Sequence, residues 1–264
     1  MNIQDIIEKR VSVRTFNENR TIPQNDIATL EQAIASVKTP FKGDYKIELK
    51  KFDLKGPQSP STYGTISGAS WYLLMGIADN ELSALTAGYA MEEVVLKSTE
   101  LGLGTCWMAL TFKGSDFAKE AQFDEATPLK IISPVGYAAE KRRFMESITR
   151  VSLGSSKRKK MKDLFSEAEF GKEVAEDNVF YKALEMMRLA PSAKNTQPWR
   201  ALVEGNSIWF YYIAKTEAAV LDLGIGLSHF ELTMKAEGKT GVWSDAKDAP
   251  MHEDYIPMVK YTLQ

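Results

Sequence analysis

Apolar and polar positions follow two different periods along the chain, and these divide it into helices and strands. Ile27, Leu30, Ile34 and Val37 recur at spacings of three, four and three, which places them on one face of a helix opened by Pro23. Lys46 to Phe52 alternates with period two and predicts a strand with one wet face, whereas the unbroken apolar run Trp71 to Ala78 predicts a strand buried on both faces. A long helix is expected over 79–102, closing at Gly102, and a further strand over 130–137. Ile3 to Arg10 reads as a short helix and Val11 to Phe16 as an extended segment. After a polar, basic connection at 155–162, a helix over 178–189 precedes two strands, Trp199 to Val203 and Ile208 to Ile213, which the turn residues Gly205 and Asn206 can join. Asp222 is expected to cap the next helix, whose Leu223, Leu227, Phe230 and Met234 form an apolar stripe ending at Gly238. Strands at 241–243 and 255–263 complete the pattern.

The two halves resemble each other in this pattern. Leu30 to Leu49 lies over Leu184 to Val203 without a gap, Gly88 to Trp107 over Gly224 to Trp243, and Ile132 to Tyr137 over Ile256 to Tyr261. Three blocks in one order read as a duplication, with residues 1–165 as a first repeat and 166–264 as a shorter second one. Identities within the blocks are few, so two similar helix–strand units are the alternative.

Composition narrows the function. With 44% hydrophobic residues in 264, the chain can bury a substantial core in one large or two modest domains. Its 33 basic and 35 acidic side chains leave a net charge of -2, with no electrostatic footprint for nucleic acid or an acidic membrane surface, so a small-molecule partner is expected. A single cysteine, Cys106, excludes an internal disulfide, and His229 and His252 give no zinc-ligand spacing. The first residues lack a basic, then apolar, leader and the longest apolar run is too short to span a bilayer, so a cytoplasmic location is expected.

Two segments carry candidate chemistry. In Arg10-Val11-Ser12-Val13-Arg14, strand alternation would turn both guanidinium groups and the hydroxyl to one side, a set suited to a phosphate monoester, although a solvated face uses the same residues. Pro191-Ser192-Ala193-Lys194-Asn195-Thr196-Gln197-Pro198-Trp199 joins a helix to a strand, is dense in short hydrogen-bonding groups, and is stiffened by its prolines. Gly102-Leu103-Gly104 lacks the third glycine and the following helix of a dinucleotide fingerprint, and reads as a helix stop. Cys106 and His229 sit in apolar surroundings and read as packing residues, and no nucleophile has a recognisable base.

Together with Glu100-Leu101-Gly102-Leu103-Gly104-Thr105-Cys106-Trp107, the R-x-S-x-R and P-S-x-x-N-x-Q-P-W segments resemble the nitroreductase family over essentially the whole chain. The resemblance implies an α+β fold, a mixed, mainly antiparallel sheet flanked by helices in two pseudo-repeats packed face to face. It also implies a flavin mononucleotide (FMN) reduced by NADH or NADPH and reoxidised, in ping-pong fashion, by a small electron-poor acceptor such as a nitroaromatic or quinone. No catalytic side chain is required, because the flavin carries the hydride. In that family the two segments come from different subunits, whereas here each repeat retains one of them, so the resemblance implies one composite flavin site per chain and a monomeric pseudo-dimer. Arg10 and Ser12, with Val11 between them, would hold the phosphate or ribityl chain, and Arg14 would favour the anionic reduced ring. Pro191, Ser192 and Asn195 would meet the flavin from the other repeat, and the backbone N–H groups of Met108, Ala109 and Leu110 would lie near its N5. Arg158 and Lys159 would reach the phosphate, though a basic run is commonly only a solvated linker. A flavin-binding module or sensor with little turnover is the alternative reading.

Overall fold

The structure is a computed structural model that describes residues 1–54, 59–109, 111–140 and 157–264. The chain packs as two compact units: Lys9–Gly154, the first unit, and Met1–Glu8 with Ser155–Gln264, the second. Residues 1–8 and 155–165 therefore group with the second half, whereas the sequence pattern kept 1–165 together.

In the first unit, helix α2 (Gln24–Ser36) starts after Pro23, and α3 (Glu81–Glu100) is capped by Asn80, whose side chain accepts the Ser83 N–H at 2.8 Å. Gly102, at φ +75°, turns the chain out of α3. Helix α3 is buried nearly all round by Leu85, Tyr89, Met91, Val94 and Val95, and packs on α2 and the sheet. That sheet holds β1 (Tyr45–Lys51), β2 (Trp71–Ile77), β3 (Gly104–Thr105) and β4 (Leu129–Gly136) in the order β1-β2-β4-β3, all antiparallel. β2 is central and buried, as its continuous apolar run requires. A short helix, α4 (Gly114–Ala118), lies before β4, and its Phe117 meets Phe52 and Tyr72 edge to face.

The second unit begins with α1 (Ile3–Lys9), whose Ile6 and Ile7 are buried, and resumes with β5 (Phe165–Glu167) and β6 (Glu169–Glu173). Helix α5 (Tyr181–Arg188), β7 (Trp199–Glu204), β8 (Ser207–Tyr212), α6 (Ala219–Ala236), β9 (Gly241–Asp245) and β10 (Ile256–Leu263) follow. The six strands run in the order β6-β5-β7-β8-β10-β9, with β5 and β7 parallel and the other pairs antiparallel. Without β5 and β6, this order is the first-second-fourth-third arrangement of the other sheet. The β structure is thus two sheets, one in each unit.

Leu223, Leu227, Phe230 and Met234 are fully buried on α6, which packs on α5 so closely that a Cβ on Gly226 would lie 2.9 Å from Met187 Cε. Asp222 is not the cap of α6. Ala218 holds that position, and Asp222, inside the first turn, directs its carboxylate to another segment. The pair β5–β6 has no counterpart in the sequence pattern. Its chain reversal uses Ala168 at φ +66°, a left-handed residue without glycine to signal it, and its strands are three and five residues long. Among the described residues, no helix is long and apolar enough to cross a membrane, and no three His, Cys, Asp or Glu residues converge as metal ligands.

Candidate functional site

In the first unit, the R-x-S-x-R segment lies along the edge strand β3. Ser12 bridges Thr105 in parallel and the Val13 N–H donates to Thr105 O at 2.8 Å. The chain then crosses to Ser67, where the Phe16 N–H donates to Ser67 O and the Ser67 N–H to Arg14 O. This close seat depends on Gly104, because a Cβ there would approach Val13 Cγ2 to 2.6 Å. Strand-like alternation holds only from Ser12 onward. Helix α1 runs to Lys9, so Arg10 and Val11 fall at its exit: Arg10 is buried at 7% exposure, Val11 is 44% exposed, and Val13 is buried. Val11 therefore does not back the segment as the alternation predicts.

Arg10 meets a partner that the sequence pattern did not indicate. Its Nε lies 3.8 Å from Oε1 of Glu92, which is fully buried on α3, and Glu92 Oε2 accepts the Trp107 Nε1–H at 2.8 Å. Burial lowers the pKa of Arg10, while the Glu92 carboxylate and Cys106 act in the opposite direction. A carboxylate amid the apolar residues Met91, Val94 and Val95 was the available signal, since a buried charge requires a partner. The register that pairs Gly88 with Gly224 places the buried Ser228 where the first unit has Glu92. Arg14 is half-buried and its Nη1 is fully buried with no hydrogen-bond partner among the described residues.

The predicted role of Met108 requires correction. Its N–H donates to Ile132 O and its carbonyl accepts from the Ile132 N–H, both at 3.0 Å, so that N–H is taken up in a bridge to β4. Ala109 is exposed at a bend beyond it, and Leu110 lies outside the described residues.

In the second unit, the Pro191–Trp199 loop forms a tight 3-10 turn at Ala193–Asn195, with Lys194, Asn195 and Gln197 all left-handed at φ 50°, 55° and 48°. Ser192 Oγ accepts the Gln197 N–H at 2.9 Å. Asn195 Oδ1 accepts from Arg158 Nη1 and Gln197 Nε2, both at 3.2 Å, and its Nδ2 donates to Lys157 O at 2.9 Å. Ser192 and Asn195 thus direct these polar atoms into the loop and the 157–158 segment, where the sequence pattern aimed them at a ligand.

Arg158 and Lys159 clasp this loop and do not form a free linker. Arg158 Nη2 donates to Leu189 O at 3.2 Å, the Lys159 N–H to Gln197 Oε1 and Lys159 Nζ to Thr196 O, both at 2.8 Å. Burial, then the neighbouring Arg200 and Lys215, push the Lys159 ammonium down to about 8. Asp222 anchors the start of the loop, its two oxygens 3.0 and 3.1 Å from the Ala193 nitrogen, and burial raises its carboxyl to about 8 against the pull of that N–H.

Residues 2–234 match the family model described as "Putative TM nitroreductase". The chain belongs to this nitroreductase family. A Thermotoga maritima protein whose solved structure is described as a "putative nitroreductase" is 25% identical, and the match covers 100% of this chain and 94% of that one with a TM-score of 0.61. A nitroreductase from Bacteroides fragilis solved with bound FMN is 15% identical over 55% of this chain and 92% of its own, with a TM-score of 0.41. An FMN-dependent nitroreductase from Clostridium difficile R20291 is 16% identical over 52% and 88%, with a TM-score of 0.40. None of the curated proteins compared matches the chain. The nitroreductase fold accounts for the mixed α+β architecture with antiparallel sheets flanked by helices.

Proposed function

We propose that this nitroreductase is an FMN-dependent oxidoreductase that uses NADH or NADPH to reduce small electron-poor acceptors such as nitroaromatics and quinones. The observation that carries the reading is the orphaned Arg14 Nη1, buried in an R-x-S-x-R segment that is itself pinned to β3. A buried guanidinium atom without an acceptor is destabilising when unpaired and strongly favourable opposite an anion or a carbonyl edge, so the residues fit the phosphate-bearing, electron-accepting FMN. When bound, the flavin supplies the redox chemistry, taking a hydride from the nicotinamide and returning it to an acceptor after the donor has left.

The side chains then have binding and electrostatic tasks. Ser12 would donate its hydroxyl to the phosphate or ribityl chain, and Arg14 would lend positive charge where the ring gains electrons. Arg10, already opposite Glu92, would add a cation whose charge is partly offset from within the protein. Ala109, at the bend after Met108, is the remaining described backbone donor of the predicted three. With one R-x-S-x-R segment in the sequence, the reading assigns one FMN to each chain. The shared strand order of the two sheets supports a duplicated ancestry.

An absorbance spectrum of the purified protein after incubation with FMN tests the reading. Flavin bands in stoichiometric amount, bleached anaerobically by NADH or NADPH and restored by a quinone, are expected. A colourless protein that takes up no FMN overturns it. Bound flavin that neither nicotinamide reduces replaces the enzyme with a flavin-binding module.

A further inference from the structure

We propose that Asp222 is the positioning residue of the Pro191–Trp199 loop, its carboxylate holding the Ala193 N–H so that the turn carrying Ser192 and Asn195 is set; the functional part of this role rests on the loop serving the flavin. The geometry is specific. Asp222 is 2% exposed, it lies within α6, and both of its oxygens are within 3.1 Å of one backbone nitrogen. Three left-handed residues without glycine hold their conformation only where surrounding bonds over-determine it. Within the loop itself the bonds from Arg158 and Lys159 fall on Asn195, Thr196 and Gln197, at the end of the turn, while Arg158 also holds Leu189 O at the end of α5. At its start, among the described residues, the tie to the rest of the unit is Asp222.

The first unit supports this assignment independently. The loop entering β1 hangs on α3 through the Gly43 N–H donating to Thr86 Oγ1 at 3.1 Å and the Asp44 N–H to Ser83 Oγ at 2.8 Å. The register that pairs Gly88 with Gly224 pairs Thr86 with Asp222. One position on the helix thus anchors the preceding loop in both units, through a hydroxyl in one and a carboxylate in the other.

The exchange makes the second anchor responsive to protons. With Asp222 ionised, Ala193 donates to an anion. Once protonated, one oxygen becomes an O–H and the remaining bond is a weaker, neutral one. The ionisable groups on the elements of this packing include Lys182, Glu185 and Arg188 on α5, Arg200 on β7, Tyr211 and Tyr212 on β8, and His229 and Glu231 on α6 itself, with Lys159 and Lys215 on adjoining segments. Burial and the Ala193 N–H alone set its titration near 8.

The test follows the Ala193 amide resonance in full-length, alanine-labelled protein from about pH 6 to about pH 10, which requires no flavin. A shift with a midpoint near 8 is expected, and the protection factors of Asn195, Thr196 and Gln197, corrected for the intrinsic rise of exchange with pH, should change over the same interval. Asp222→Asn should abolish that shift and, measured above pH 8 where the wild-type carboxyl is ionised, weaken FMN binding about tenfold, the scale of one charge-assisted hydrogen bond. Asp222→Glu should restore a titrating amide, and Thr86→Val should leave it unchanged. An Ala193 amide that does not titrate in the wild type, or an Asp222→Asn variant with unaltered exchange and FMN affinity, overturns the proposal. A titrating Ala193 in a protein that takes up no FMN overturns the functional part while the positioning stands.

Discussion

Replacing Gly104 with alanine tests whether β3 sets the position of the arginine segment. The added Cβ would lie 2.6 Å from Val13 Cγ2, 2.8 Å from its Cβ and 3.1 Å from Cγ1. Bringing the shortest of these out to ordinary contact at 3.4 Å requires a retreat of about 0.8 Å. Val13 cannot move this far without stretching its 2.8 Å bond to Thr105 O, and Ser12 and Arg14 move with it. Overpacking of this kind costs about 1 to 3 kcal/mol. Expressed in FMN binding, that corresponds to a dissociation constant about 5- to 150-fold weaker. Titration of FMN by quenching of its fluorescence reads the affinity, and urea unfolding of the apoprotein reads the stability. Val13→Ala in the same chain removes two of the three clashing atoms and should restore most of the binding. Wild-type FMN affinity and an unchanged urea midpoint in Gly104→Ala would refute the reasoning, because the arginine segment would then not be seated on β3.

Three further outcomes can be checked. Arg14→Ala should leave the unfolding midpoint nearly unchanged, since its Nη1 makes no bond among the described residues, yet weaken FMN binding about 10- to 100-fold in the same titration. Glu92→Ala leaves the buried Arg10 without its counter-charge and Trp107 Nε1 without its acceptor, and should destabilise the apoprotein by roughly 3 to 5 kcal/mol in urea. Added FMN should recover part of that loss, and an unchanged midpoint would show that the pair carries no weight. Asp222 retains in the native state a proton that the unfolded chain releases, its carboxyl being raised from 3.8 to about 8. Its contribution to stability is therefore complete below about pH 4 and lost as pH rises to about 8, roughly 6 kcal/mol in all. The wild-type advantage over Asp222→Asn should fall across that window and level off above it, and a rise would contradict the assignment.

The fold was legible where one periodicity dominates. Apolar runs and stripes located β2, α2, α3 and α6, and glycines at 102, 205 and 238 marked their ends and the β7–β8 turn through the positive φ that each adopts. Tertiary use of polar residues was not legible. Asp222 has the residue type and place of a helix cap, but its carboxylate is engaged by Ala193, a demand that arises only once the loop is folded. Glu92 pairs with Arg10 across 82 residues, and neither local spacing nor composition joins them. Alternation in the arginine segment failed at Arg10 and Val11 because the preceding helix ends at Lys9 and fixes the orientation of the two residues leaving it. Arg158 and Lys159 read equally well as a solvated run, and only their bonds to the loop distinguish the two.

The placement of α1 bears on the order in which the chain can fold. Ile6 and Ile7 precede the first unit along the chain, yet the unit in which they are buried is otherwise built from residue 155 onward. Lys9–Gly154 has all of its own residues as soon as they have emerged, so it can close while the helix ahead of it still exposes two isoleucines to solvent. For the duration of nearly 150 further peptide bonds, that helix is a hydrophobic segment awaiting a partner. A nascent chain halted shortly after residue 154 would therefore carry one finished unit and, ahead of it, an unpacked apolar helix suited to engage a chaperone.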